Sequence, residues 1–125
     1  MKLSAEIIHE RVFLDFKSEL KKFHKEREEK YFETFRQKIK DGTIDAYADD
    51  YRDVCRHEAD VYIKRTPIET LAFVKNYILD ASDTLFDAYE NGIFDKEETE
   101  VAFNTLKYLL VAAEMESDPA TKLKH

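Results

Sequence analysis

The amino-acid sequence predicts an all-α fold, an antiparallel bundle of four to five helices with a long N-terminal helix. Three observations carry this. Apolar residues recur at three- and four-residue steps along nearly the whole chain. Only two Gly and two Pro occur, and Gly42, Gly92 and Pro67 each fall between periodic segments. No stretch shows the period-two alternation with β-branched residues that a strand would carry.

The first helix opens at Ser4, a side chain suited to capping. Val12, Phe13, Phe16, Leu20 and Phe23 then share one face. The pattern crosses a charged gap at 24–30, which holds no large apolar residue, and resumes at Tyr31, Phe32, Phe35 and Ile39. Asp41-Gly42 ends it, with Gly42 as the left-handed residue after the helix. Two readings stay open. A continuous helix from Ala5 to Lys40 has 36 residues and a length of about 54 Å, outreaching the others and inviting a partner. A break in the gap instead gives five helices.

A second helix is predicted from Thr43, as its cap, through Ile44, Tyr47, Tyr51, Val54 and Val61 to about Arg65. Its face is narrow and Tyr-rich, so Tyr47, Tyr51 and Tyr62 are expected to pack half-buried against the first helix. Thr66-Pro67-Ile68-Glu69 combines a Thr cap, Pro at the first helical position and Glu at the third, the pattern of a helix start. The helix it opens reads as a core helix, with Leu71, Val74, Ile78, Ala81, Leu85 and Ala88 on one face, and it ends at Asn91-Gly92. Asp95 with Glu98 three residues on opens the last helix, whose face is Ala102, Leu106, Leu109 and Ala113, widened by Val101, Phe103 and Leu110. Short connections favour antiparallel neighbours. The expected organisation is one helical-bundle domain over 1–116 and a flexible C-terminal tail over 117–125.

Composition bounds the function. The 125 residues are 43% hydrophobic and 38% charged, where ordinary domains carry about 25% charged, so the surface is densely ionic. The longest apolar run, Tyr108 to Ala113, is far below the roughly 20 residues of a membrane helix. Glu6, His9, Glu10, Arg11 and Asp15 stand where a secretory leader would be apolar, so a cytoplasmic protein with no membrane contact is expected. Cys55 is the only cysteine and is read as a buried, inert thiol, although Arg52 and Arg56 lie near it.

The net charge of −7 is unevenly spread. Residues 17–40 hold nine Lys/Arg against five Asp/Glu, and residues 41–100 hold six against sixteen. One reading is that the basic and acidic stretches pair across the bundle. The functional reading is a docking surface for a basic partner protein, carried by Asp45, Asp49, Asp50, Asp53, Glu58 and Asp60. Such a field repels phosphates, so direct nucleic-acid binding is not expected, whereas a nucleic-acid-binding protein would be a suitable target.

Chemistry-bearing patterns fall short of sites. Asp49, Asp53 and His57 could present carboxylate and imidazole ligands on adjacent turns, which is the metal-binding alternative. Asp49-Asp50-x-x-Asp53 resembles the magnesium-diphosphate motif of terpenoid synthases, whose helical enclosure is much larger than 125 residues can build. Glu6-x-x-His9 has no second copy, as a di-iron bundle requires. The His-Glu-x-x-His pattern fails at Val61 and at Phe13. Glu26 with Glu29 and Glu97 with Glu100 match half of the magnesium site of all-α nucleotide pyrophosphatases, and no Glu has an Asp three residues later. The expectation is therefore a non-enzymatic regulator or inhibitor without cofactor, with self-association into a homodimer through the first helix. The alternatives are a metal-binding bundle or metal-dependent enzyme, and a structural homo-oligomer.

Overall fold

A computed structural model of the protein describes residues 2–117. It contains three helices, α1 (Ala5–Lys40), α2 (Tyr51–Glu90) and α3 (Lys96–Ser117). The described residues are 84% helix without strands, so the all-α class holds, but among them the helices number three and not four to five. Ser117 closes α3, and the rest of the predicted tail, 118–125, lies outside the described residues.

α1 is continuous over its 36 residues. Ser4 caps it by accepting the Ile7 N–H. The charged gap does not break it, because Lys, Glu and Arg are good helix formers and Arg27 alone in the gap turns inward. α1 is nevertheless not the longest helix, since α2 has 40 residues against its 36.

α2 departs from expectation twice. It starts at Tyr51, eight residues after the predicted cap at Thr43. The Thr43 N–H and hydroxyl both donate to the Asp41 carboxylate, at 2.9 and 2.6 Å, and the Asp45 carboxylate accepts the Tyr47 N–H at 2.9 Å. These local bonds compete with helix and hold 41–50 as consecutive turns. Ile44 is buried beneath them, and Tyr47, expected to pack on α1, is 97% exposed. The second departure is at Thr66-Pro67, where α2 runs straight through. The Thr66 hydroxyl donates back to the Tyr62 carbonyl at 2.8 Å, and Arg27 Nη2 donates to the same carbonyl at 3.0 Å. Glu69, which would have closed a capping box, pairs with Arg27 instead.

Both turns use glycine in the left-handed region, Gly42 at φ 84° and Gly92 at φ 74°, where a Cβ would be strained. At the second turn, Gly92 N–H donates to Tyr89 O and Ile93 N–H to Ala88 O, which satisfies the open carbonyls of α2.

α1 and α2 run antiparallel, as the contacts Phe16–Tyr77, Phe23–Phe73, Tyr31–Tyr62 and Lys38–Glu58 show. α3 is antiparallel to α2 and parallel to α1, on which Leu3 meets Glu98, His9 meets Thr105 and Phe13 meets Tyr108. The core lies on α3, whose Ala102, Leu106 and Leu109 are buried with Ile8 and Val74. The stripe predicted for this helix is thus the one that is buried. On α2 only Val74 of the expected core face is buried, and Leu71, Ile78, Ala81, Leu85 and Ala88 are half-buried.

The 22 residues of α3 reach about 33 Å along the roughly 60 Å of α2. The molecule therefore has a three-helix zone and a two-helix arm. In the arm, aromatic rings fill the gap between helices: Phe23 stacks on Phe73 at 4.6 Å, the Tyr31 ring meets Tyr62 tilted by 42° at 4.5 Å, and the Arg27 guanidinium lies 4.0 Å from the Tyr62 ring centre.

Candidate functional site

The acidic residues picked from the sequence do not share one helix face. Asp45, Asp49 and Asp50 lie in the turns before α2, and Asp53, Glu58 and Asp60 lie on it. Glu58 turns toward α1 and pairs with Lys38 at 3.0 Å, while Asp60 pairs with Lys64 at 2.8 Å one turn on. Asp45, Asp49, Asp50 and Asp53 are exposed. The alternative metal set of Asp49, Asp53 and His57 is likewise not assembled. Asp49 precedes the helix, and among the described residues no three His, Cys, Asp or Glu side chains gather where they could hold a metal ion. Cys55 is half-buried.

The ion pairs between helices account for part of the charge segregation. Basic residues of α1 meet acids of α2 at Lys38–Glu58 and Arg27–Glu69, and Lys2 meets Asp95 and Glu97 at the start of α3.

A concavity lies elsewhere, between α1 and α2 over α3, where a cleft of about 430 Å³ opens to solvent. Helical spacing builds it. On α1, Ile8, Val12, Asp15 and Glu19 follow one another at four- and three-residue steps, so a single stripe is apolar at one end and acidic at the other. On α2, Tyr77, Ala81 and Leu85 stand one turn apart, with Asp80 at the edge. Ala102 and Leu106 of α3 form the floor. Arg11 is the one cation among the lining residues, against Asp15, Glu19 and Asp80.

Tyr77 ties the walls together. Its hydroxyl donates to Asp15 Oδ2 at 2.6 Å, and its ring meets Phe16 edge-on at 5.3 Å. Burial, then the Asp15 carboxylate, push the Tyr77 hydroxyl well above the usual tyrosine range, so it remains a donor at neutral pH. The cleft thus presents an apolar floor and a carboxylate rim, with the hydroxyls of Tyr77 and Thr84 along the α2 wall. A volume of this size falls within the range of binding pockets.

Sequence reasoning passed over Asp15, Glu19, Tyr77 and Asp80. The signal available was Asp15 and Glu19 in line with Ile8 and Val12, carboxylates on a stripe that should otherwise be core.

No family model, curated protein or solved structure matches this chain.

Proposed function

We propose that the protein is a non-enzymatic interaction module, a small regulator or inhibitor, that receives an amphipathic basic helix of a partner protein in the cleft between α1 and α2. The observation that carries this is the cleft itself, an apolar floor bordered by Asp15, Glu19 and Asp80. Three helices surround a space that a fourth would fill in an ordinary bundle, and an amphipathic helix laid in an apolar groove is a recurrent recognition mode. A partner helix with Lys or Arg beside its apolar stripe would meet the carboxylate rim. The sixteen Asp/Glu against six Lys/Arg of residues 41–100 supply a long-range field that draws such a partner in and disfavours phosphates. In this reading Asp49, Asp50 and Asp53 contribute to the field and not to the contact.

A labelled Leu/Lys amphipathic helical peptide tests it by fluorescence anisotropy at low and high salt. Binding should saturate and weaken about tenfold or more between about 50 and 300 mM salt. Ala81→Trp, which fills the cleft, and the triple neutralisation Asp15→Asn, Glu19→Gln, Asp80→Asn should each abolish it while the circular-dichroism spectrum stays helical. Equal affinity for the native protein and a folded Ala81→Trp variant would refute docking in the cleft.

A further inference from the structure

We propose that the face of α2 turned away from the core is a self-complementary dimer interface, on which a second copy of this chain packs antiparallel about a two-fold axis. Ile68, Leu79 and Phe86 are 66%, 65% and 54% exposed. They are separated by eleven and then seven residues, so at 100° per residue they lie within roughly 20° of one another, a straight stripe about 27 Å long. Ala72 lies in the same stripe. The stripe stands about 120–140° round the helix from the buried Val74, on the side that neither α1 nor α3 covers.

The flanking charges choose the occupant and its direction. Lys75 stands within the stripe, between Ile68 and Leu79; beside the N-terminal half stand Lys64, which pairs with Asp60, and Arg65, and beside the C-terminal half stand Asp83, Asp87 and Glu90. A parallel second copy would set like charges against like. An antiparallel one sets the basic end of each stripe, at Arg65, beside the acidic end of the other, at Glu90. The midpoint of Ile68 and Phe86 is residue 77, and Arg65 and Glu90 stand on the same flank of the stripe, about 60° and 40° round from Ile68. A two-fold axis at residue 77 brings Ile68 of each copy level with Phe86 of the other, and Arg65 within one residue of Glu90. Leu79 then lies about 3 Å along the helix from the axis, so that the two Leu79 side chains meet.

Surface area points the same way. The chain exposes 9614 Å², where a compact monomer of its 14.8 kDa would expose about 7,000 Å². Granting the nine residues outside the described span an upper bound of about 1,400 Å² still leaves an excess above roughly 1,000 Å², comparable to what a stable dimer buries. α1 offers no equivalent face. Its exposed Ile7, Leu14 and Phe32 share a line, but three charged residues, Lys21, Lys25 and Glu28, interrupt it between Leu14 and Phe32, against Lys75 alone on α2.

The test is native mass with three sets of variants of the full chain. The protein should run at twice its 14.8 kDa at about 100 µM, and Leu79→Asp should run as a monomer with an unchanged helical spectrum. Arg65→Glu alone should raise the dimer dissociation constant about tenfold, and Arg65→Glu with Glu90→Arg should restore it. In a Cys55→Ser background, Leu79→Cys should form an intermolecular disulfide on mild oxidation, and Leu14→Cys should not. This arm decides the matter should Leu79→Asp fail to fold. A monomer at that concentration, a dimer that survives Leu79→Asp, or cross-linking of Leu14→Cys in place of Leu79→Cys would overturn the proposal.

Discussion

Glu98 shows how much a single carboxylate does at the junction of the chain's first residues and its last helix. Buried, it accepts the Leu3 N–H at 2.9 Å and the Asp95 N–H at 3.0 Å, while its own N–H donates to Asp95 Oδ1 at 2.8 Å. The box that starts α3 was legible in the sequence as Asp95 followed by Glu98. The bond to Leu3 was not, because a partner 95 residues away leaves no local pattern. Glu98→Ala strips the acceptor from two backbone donors and should destabilise the fold by about 2–3 kcal/mol in urea unfolding, and Glu98→Gln, which keeps one acceptor, by less. Asp95 sets a pH dependence. The Glu98 N–H first, and Lys2 after it, hold its carboxyl below the ordinary 3.8, and the Thr43 hydroxyl and N–H do the same for Asp41. A lowered folded value favours the folded state above pH 3.8, and that gain is lost as the pH falls through the lowered values. Thermal melts should therefore drop below about pH 4, and Asp95→Asn should flatten the acid limb.

Among the elements, α2 is where local pattern and tertiary context part company. Thr66-Pro67-Ile68-Glu69 fits a helix start, yet each residue is used differently. Thr66 bonds backward to Tyr62, Glu69 is taken by Arg27, and Ile68 faces solvent. Ile44, Tyr47 and Tyr51 have helical spacing by coincidence, since the carboxylates of Asp41 and Asp45 had already claimed the nearby N–H groups. α3 was legible because its apolar stripe, cap and position after Gly92 agree with one another. An interior proline removes a donor and crowds the preceding turn, so Pro67→Ala should raise stability by about 1–3 kcal/mol, read as a higher urea midpoint. Arg27 holds the arm, with its side chain only 9% exposed, its guanidinium on Tyr62 and Nη2 on the Tyr62 carbonyl. Arg27→Ala should cost about 2 kcal/mol, and amide exchange should accelerate in the arm well before it does in α3.

For the whole molecule, the sequence pointed to a helical fold with short links but not to its shape. The lengths of α1 and α2 against α3 make an arm, and rings such as Phe23, Phe73, Tyr31 and Tyr62 set the distance between two helices, which periodicity does not encode. The cleft at Asp15, Tyr77 and Asp80 follows from that spacing and was hidden for the same reason. Because Ala102, Leu106 and Leu109 supply half of the six buried apolar residues, α1 and α2 have little to bury without α3. A chain cut after Ile93 should lose most of its helical signal in circular dichroism, and adding residues 94–125 back as a separate peptide should restore it.

The bond between Leu3 and Glu98 also orders events during translation. A ribosome adds roughly 5–20 residues each second, so the acceptor for Leu3 leaves the exit tunnel several seconds after Leu3 does. Through that interval the Phe, Leu and Ile that α3 will cover have nothing to bury them, so the first two helices wait for the third. Closure comes only as synthesis reaches α3, a schedule typical of folds that depend on contacts between residues distant along the chain.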